Sequence, residues 1–243
     1  MKRLLILLAS AYLLSAAPAR SQSGPSFSVN AFTTKVRKQP AEYAPAGRAL
    51  YEDETYVVSS YCYGEFGGGL LFKNKRTDST YTCQATCALT VLKLPGRYVV
   101  SCTLAHMAGF AQVLEIADPR RMRALPITRK KGGRRLKLAV AQGEPAKAGT
   151  AILADSVGVE LAGSFPLNGR PYFIVTDTYK TYLAVIEHGR FSSVAKLADF
   201  STWSYAPAVR QTPDGHYLFF YKNDKAQGYI EVDNTTINVV RYP

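Results

Sequence analysis

The densest chemical feature of the sequence is a run of cations between residues 120 and 137. Its nine Lys and Arg residues, with no Asp or Glu among them, are Arg120, Arg121, Arg123, Arg129, Lys130, Lys131, Arg134, Arg135 and Lys137. Like charges this close repel one another, and an anionic partner offsets that repulsion. The run therefore predicts binding to an anionic lipid surface or polysaccharide, and the alternative interpretation is a solvated face. Nucleic acid is disfavoured because the run lacks interleaved aromatic residues for base stacking.

Four cysteines, Cys62, Cys83, Cys87 and Cys102, form the second chemical group. In an exported protein an even cysteine count predicts disulfides, and four cysteines allow three pairings. We favour Cys83 with Cys87 across a turn, and Cys62 with Cys102 because these two end equivalent strands of successive repeats. A zinc site is the alternative, but no second paired motif and no histidine at ligand spacing accompanies them. We therefore predict no metal and no cofactor.

Three carboxylates, Asp155, Glu160 and Asp177, are the candidates for catalysis because each lies near an early strand of its repeat. Glycoside hydrolysis needs two carboxylates facing one bond, one with a raised pKa and one ionised. A solvated position at a loop or strand end is the simpler interpretation for each. No G-x-S-x-G elbow, H-E-x-x-H pair or phosphate-binding loop occurs. A glycan-processing enzyme is therefore the alternative function and not the favoured one.

The three histidines are expected to have structural roles. His106 lies at a turn between two strands, where a backbone carbonyl can satisfy a buried ring. His188 and His216 stand beside Gly189 and Gly215, which is typical of solvated turns. No histidine is predicted to act as a ligand or base.

The chain begins with the features of a secretory signal peptide over residues 1–19. Lys2 and Arg3 precede an apolar run, and the small residues Ala17-Pro18-Ala19 follow it. The apolar run is too short for a membrane anchor. Export to the periplasm or the medium is therefore predicted for a chain whose formal net charge is +12.

Turn and strand signals recur after the signal peptide. Residues 20–48 read as a flexible leader with one short piece, Phe27 to Phe32, that can add a strand to a sheet edge. Residues 49–243 read as one domain of repeats about forty residues long with four short strands each. That period is typical of a small β-propeller, here with five blades, and a β-sandwich is the alternative. The second repeat is expected to begin with a strand over Ala88 to Leu94 and to end with one over Met122 to Ile127. The fourth is expected to include strands over Tyr172 to Thr176 and Thr181 to Glu187. The third repeat, from Gly132-Gly133 to the segment TAILADS, is the weakest because it has few aromatic residues.

The clearest repeat is residues 94–119, LPGRYVVSCTLAHMAGFAQVLEIADP: a Pro-Gly turn, a strand, a reversal and a returning strand. Together with the preceding GEFGGGLLFKNKRTDSTYTCQATC, it resembles a segment of uncharacterised exported bacterial proteins with propeller-like repeats. The resemblance covers residues 61–119 and implies a bacterial envelope or secreted setting. It transfers no functional residues.

These observations predict an exported all-β protein that acts as a non-enzymatic binding or interaction module. Its predicted partner is an anionic glycan, an anionic lipid surface or another envelope protein, engaged through residues 120–137. No segment after the signal peptide is long and apolar enough to span a bilayer.

Overall fold

The computed structural model describes residues 24–43, 49–125 and 147–243, so the predicted signal peptide lies outside the described residues. The described chain is all-β, which confirms that part of the predicted fold class, and its helical pieces are three short 3₁₀ turns. Tyr, Phe, Val and Ile make up most of the buried hydrophobic residues in the strands, as expected of residues that suit a pleated surface. No helix in the described ranges has the length and apolarity needed to cross a membrane.

Eighteen strands form within the described residues. In chain order they are β1 (Ser28–Thr33), β2 (Tyr51–Glu52), β3 (Tyr56–Cys62), β4 (Gly68–Asn74), β5 (Thr80–Gln84), β6 (Ala88–Leu94), β7 (Arg97–Leu104), β8 (Phe110–Ile116), β9 (Arg123–Leu125), β10 (Ala151–Val157), β11 (Glu160–Leu167), β12 (Arg170–Thr176), β13 (Thr181–Glu187), β14 (Arg190–Ala198), β15 (Ala208–Gln211), β16 (Tyr217–Lys222), β17 (Gln227–Asp233) and β18 (Thr236–Arg241). The 3₁₀ turns are Pro40–Tyr43, Gly64–Phe66 and Pro119–Arg121.

The strands pair into four sheets, each built on an antiparallel meander. The first sheet has the order β2-β3-β4-β5-β9, the second β6-β7-β8-β10, and the third β11-β12-β13-β14. The fourth has the order β15-β16-β17-β18, and β1 extends it by pairing parallel to β18. The short piece predicted to join a sheet edge is this β1.

Contacts link the first strands of the four sheets, β2, β6, β11 and β15, which we call the inner strands. The inner strand β6 contacts β2, β11 and β15, and β11 also contacts β15. Thr103 accepts a hydrogen bond from the Leu161 amide at 3.0 Å, and Ser101 donates to Ser164 at 2.8 Å. Because residue numbers rise along β7 as they fall along β11, β7 is antiparallel to β11. The inner strands β6 and β11 therefore run in the same direction.

Apolar side chains fill the spaces between neighbouring sheets. Edge-to-face rings of Tyr56, Phe72 and Tyr98 join the first and second sheets, with Phe72 and Tyr98 centroids 5.1 Å apart. Phe165 and Phe219 join the third and fourth sheets. The inner faces of the sheets are thus buried against one another, and this fixes the positions of the inner strands.

The described residues form four sheets and not the five blades expected from the repeat count. The segment TAILADS, assigned to a separate third repeat, forms β10 and pairs with β8 of the second sheet. The strand predicted over Met122 to Ile127 forms β9 but pairs with β5 of the first sheet. Both pairings satisfy strand edges left free by short meanders, which a repeat period does not reveal. Residues 126–146, which include the rest of the predicted repeat, lie outside the described residues.

The disulfide pairing also differs from the one we favoured. Cys62 is bonded to Cys87 with a Cα–Cα distance of 4.6 Å, whereas Cys83 and Cys102 are buried free thiols. The loop after β5 turns back over Gly68, the partner of Cys62 across the ladder, and so brings Cys87 beside Cys62. Cys83 points into the core instead, where burial raises the pKa of its thiol to about 12. A disulfide fits an exported protein.

Candidate functional site

A central cavity of about 700 Å³ lies between the inner strands of the four sheets. Residues from β2, β6, β11 and β15 line it, together with Tyr43 from the 3₁₀ turn before them. Concave sites of this size with a few convergent polar groups are the usual locations of ligands. The central cavity is therefore the candidate site.

Hydroxyl groups hold the wall of the cavity together. Thr90 and Ser164, which both line it, share a hydrogen bond of 2.6 Å, and buried Ser101 donates to the same Ser164 oxygen. These bonds connect β6 directly to β11 where a sheet ladder is absent. The wall is consequently fixed before any ligand arrives, which lowers the entropic cost of binding.

Arg210 is the principal charged group of the cavity. It lies on β15, it is half-buried, and its guanidinium donates from Nε to the Pro40 carbonyl at 3.0 Å and from Nη1 to the Val209 carbonyl at 2.8 Å. Within the described part of the chain no Asp or Glu pairs with it. A half-buried guanidinium bonded only to neutral carbonyls keeps its full charge and further N–H donors for an anion.

Lys93 is the second cation that lines the cavity, but its charge is balanced. Its Nζ lies 3.8 Å from the centroid of the Tyr98 ring, and the Tyr98 hydroxyl donates to Asp53 at 2.6 Å. Burial by itself raises the pKa of Asp53. Hydrogen bonds from Tyr98 and from the Tyr56 and Thr55 amides, with the charge of Lys93, hold it below its usual value. Asp53 is thus an anion that already accompanies Lys93, and Arg210 is left as the uncompensated cation.

Three half-buried tyrosines, Tyr43, Tyr51 and Tyr217, add ring faces and hydroxyl groups to the lining. Burial raises the pKa of Tyr51 and of Tyr217, so both hydroxyls remain donors at neutral pH. A cavity that combines tyrosine rings, hydroxyl donors and one guanidinium bonded only to neutral carbonyls can hold a ligand with both polar ring surfaces and a negative charge.

Only the beginning of the predicted basic segment falls within the described residues. Arg120 forms a two-nitrogen contact with Asp118, at 3.0 Å from Nε to Oδ1 and 2.9 Å from Nη2 to Oδ2, and is therefore partly neutralised. Arg121 and Arg123 are exposed. The remaining members, Arg129, Lys130, Lys131, Arg134, Arg135 and Lys137, lie outside the described residues.

The three candidate carboxylates have separate local roles, and none of them lines the central cavity. Asp155 is exposed on β10, where it accepts a hydrogen bond from Gln112 Nε2 at 2.9 Å. Asp177 caps its own turn by accepting from the Tyr179 and Lys180 amides at 2.7 and 2.8 Å. Glu160 is fully buried. The hydrolase alternative requires two of these carboxylates to face one glycosidic bond, and their separate local roles do not support it.

Glu160 instead anchors a loop. Its Oε2 accepts a hydrogen bond from the Ser204 amide at 2.9 Å, and its Oε1 has no hydrogen-bond partner among the described atoms. Burial raises the pKa of Glu160 to about 8. The side chain therefore keeps its proton at neutral pH and ties β11 to the loop that precedes β15.

The histidines lie in turns, but two of them have carboxylate partners that the sequence did not suggest. His106 Nδ1 lies 3.0 Å from Glu65 Oε2 on the surface, so the expected buried ring bonded to a carbonyl is wrong. His216 lies 3.5 Å from both Asp214 and Glu231. His188 is exposed in its turn, as predicted. The described residues include no group of His, Cys, Asp and Glu arranged to hold a metal ion.

Sequence reasoning missed Arg210 because it followed charge density. A single cation inside the short strand AVRQ, one residue before a polar turn, was the available signal. Its half-burial depends on Pro40, which belongs to the segment read as a leader. That segment is bound to the fourth sheet, since Lys38 forms an ion pair with Glu231 at 3.0 Å.

Comparison with known proteins gives no relative: no family model, no curated protein and no solved structure matches the chain.

Proposed function

We propose that this protein is an exported binding module that holds an anionic oligosaccharide in its central cavity. The observation that carries the proposal is Arg210, a half-buried guanidinium that lines the cavity with no carboxylate partner in the described chain. The described lining contains no Asp or Glu, so an incoming anion meets only cations and neutral donors. An anion that bonds this guanidinium in two places gains a charge-assisted contact.

The shape of the site favours a glycan over a lipid surface. A space of about 700 Å³ between strands can admit one or two sugar rings of a chain, whereas a bilayer is too flat to enter it. Tyr43, Tyr51 and Tyr217 offer ring faces and hydroxyl donors to such a ligand. Catalysis is not part of the proposal because no carboxylate in the described lining is placed to act as acid or nucleophile.

We further propose that the four sheets surround this cavity as a small propeller-like ring. The common direction of β6 and β11 supports this arrangement, as do the contacts of β6 with β2, β11 and β15. In such a ring each sheet covers the inner faces of its neighbours.

The basic segment has the supporting role of attracting the polymer from a distance. It begins after β8, whose last residue Ile116 is paired with Tyr98, and Tyr98 is paired with Lys93 at the cavity. The positive charge of the basic segment is therefore joined to the end of the sheets at which Lys93 lies. Export, which the proposal requires, is supported by the Cys62–Cys87 disulfide.

The test is calorimetric titration of the mature protein with oligogalacturonate, a uronate oligomer, and with neutral oligosaccharide of equal length. Arg210→Gln should weaken oligogalacturonate binding by about tenfold to a hundredfold, the worth of a hydrogen-bonded charge. The matched control Arg190→Gln changes an exposed arginine of the β13–β14 hairpin and should leave affinity unchanged.

Equal binding of both oligosaccharides, or equal loss in both variants, would contradict the assignment of the cavity. Binding to phosphatidylglycerol vesicles that survives Arg210→Gln but fails when Arg129, Lys130, Lys131, Arg134 and Arg135 are changed to Ser would instead assign the protein to a lipid surface.

A further inference from the structure

Exposed aromatic and sulfur-containing side chains cluster on three loops away from the central cavity. Tyr63, Phe66, Met107 and Tyr205 are 67%, 79%, 89% and 83% exposed, and Trp203 is half-buried beside them. We call these five residues the loop-end patch. Their loops, residues 63–67, 105–109 and 199–207, connect β3 to β4, β7 to β8 and β14 to β15.

Specific contacts make the loop-end patch continuous. Glu65, between Tyr63 and Phe66, places its Oε2 3.0 Å from Nδ1 of His106, the neighbour of Met107. The Trp203 ring packs directly on Gly109, where an added Cβ would overlap it. The first loop thus contacts the second, and the second contacts the third. Isolated exposed hydrophobic residues are ordinary, but a contiguous set of them marks an interaction site.

The loops that carry the patch are anchored. The Cys62–Cys87 disulfide holds the base of the first loop. The third loop is held by the bond from the Ser204 amide to Glu160 and by Asn223 Nδ2, which donates to the Ser201 and Trp203 carbonyls at 3.0 Å. The aromatic side chains therefore protrude from fixed backbone, so a partner orders little of the loops on binding.

The charge around the patch differs from that of the chain as a whole. The chain has a net charge of +12, yet the three loops contain no Lys or Arg. Their carboxylates are Glu65, bonded to His106, and Asp199, paired with Lys196 of β14. Anionic bilayers are bound by aromatic residues flanked by Lys and Arg, and these loops lack that flank. The composition, rich in Tyr, Phe, Trp and Met, is that of the centre of a protein interface.

A groove adjoins the patch at Tyr205 and supplies a pocket for an anchoring side chain. Its volume is about 530 Å³, and its lining combines the aromatic residues Tyr205, Phe220 and Tyr221 with Lys38, Lys222 and Asp224. The cations of a partner are therefore expected at the opposite side of the patch, beside Glu65. Binding energy at protein interfaces concentrates where one partner inserts a side chain into such a pocket.

We infer that the loop-end patch docks a protein partner through a segment with an apolar centre flanked by Lys or Arg. The apolar centre covers Phe66, Met107 and Trp203, and its cations approach Glu65 at the edge of the patch. This interaction is independent of the anionic ligand proposed for the central cavity.

The experiment uses three short synthetic peptides with one Leu-Trp centre and with Lys, Ser or Glu flanks, measured by fluorescence anisotropy against the full mature protein. The Lys-flanked peptide should bind about tenfold or more tighter than the Glu-flanked one. Phe66→Ser combined with Met107→Ser should weaken its binding about tenfold or more. Glu65→Gln should reduce the preference for Lys flanks over Ser flanks. The matched control Tyr179→Ser removes a side chain that is 81% exposed on another loop and should change nothing.

Several outcomes would overturn the inference. One is a lack of preference for Lys flanks, and another is equal binding by the Phe66 and Met107 variant with an unchanged melting temperature. Sedimentation that shows dimers of the wild type lost in that variant would identify a second copy as the occupant. Binding to neutral or anionic vesicles that is lost in the same variant would identify a membrane.

Discussion

The strands turn in two different ways at the two ends of the sheets. At the hairpin end the turns are short and polar, for example 168–169 and 188–189, where Asn168 and His188 precede a glycine and all these residues have positive φ. At the loop end three connections, 63–67, 105–109 and 199–207, are longer than these two-residue turns. The described turns at the hairpin end carry no exposed large hydrophobic residue, whereas the loop end carries Tyr63, Phe66, Met107 and Tyr205.

The two ends have different roles: the tight turns at the hairpin end stabilise the sheets, and the connections at the loop end are available to bind a partner. Tight turns fix the register of each meander and leave nothing for a partner to bind. The longer connections are held by contacts between sheets, namely the Cys62–Cys87 disulfide and the bond from Ser204 to Glu160. Loops that a rigid scaffold positions are the usual carriers of function. Substitutions matched between the two ends should therefore have unequal effects.

The largest inequality is expected between two glycines with positive φ. Gly109 at the loop end has φ 82° and its Cβ position is occupied by the Trp203 ring, whereas Gly96 at the hairpin end has φ 75° and open space around it. Gly109→Ala should destabilise the fold by about 2–5 kcal/mol through backbone strain and displacement of the ring. Gly96→Ala should cost about 1 kcal/mol from strain alone. Urea unfolding measures both, and equal losses would contradict the packing of Trp203 on Gly109.

The next effect concerns the disulfide at the loop end. Replacing Cys62 and Cys87 together by Ala removes a disulfide between residues 25 positions apart in the sequence. The free energy of unfolding should fall by about 3 kcal/mol. Alkylation of the unfolded wild-type protein without reductant should label Cys83 and Cys102 only. Labelling of Cys62 or Cys87 would refute the pairing, and a double variant as stable as the wild type would refute its structural role.

A third, smaller effect depends on pH. Burial raises the pKa of Glu160 from its usual 4.5 to about 8 in the folded state, so the folded state holds a proton that the unfolded state releases as pH rises between these values. Wild-type stability should therefore fall by about 2 kcal/mol between pH 5 and pH 6.5, and Glu160→Gln should remove the fall. The hairpin-end control Glu54→Gln changes an exposed carboxylate and should retain it. A wild-type profile that is flat from pH 5 to 8 would show that Glu160 is not buried in this way.

The smallest effect is expected at the hairpin end itself. Asp53 accepts hydrogen bonds from the Tyr98 hydroxyl at 2.6 Å and from the Tyr56 amide at 2.7 Å, and its pKa is lowered in the folded state. Asp53→Asn should cost about 1 kcal/mol at neutral pH, and the difference should vanish as pH falls and the wild-type carboxylate is protonated. Unfolding curves at pH 7 and at acid pH provide the comparison. A cost that persists unchanged in acid would assign the effect to packing and not to charge.

The sequence predicted the positions of the strands well, but it predicted poorly which strands pair with one another. The predicted strands over Ala88–Leu94, Tyr172 to Thr176 and Thr181–Glu187 agree with β6, β12 and β13 because local propensity and turn glycines specify them. Strands β9 and β10 were assigned to the wrong sheets because pairing across a long connection depends on which edge is free. Cysteine pairing has the same limit, since spacing alone leaves three possibilities open.

The candidate site was less predictable than the fold. Charge density drew attention to residues 120–137. Arg210 lines the cavity only because three segments distant in sequence meet after folding: the 3₁₀ turn at Pro40, β6 and β15. Glu160 was named as a candidate for chemistry, yet its position at the first residue of β11 buries it completely. Burial of a single side chain is set by tertiary packing and leaves little trace in composition.

Hydrogen–deuterium exchange with oligogalacturonate tests the central claim most directly, because it locates the bound ligand on the strands of the wild-type protein. If the ligand enters the central cavity, protection should appear in β6, in β15 and around Tyr43, and it should disappear in Arg210→Gln. Protection confined to residues 120–137, or none at concentrations that saturate binding, would contradict the assignment of the cavity as the site.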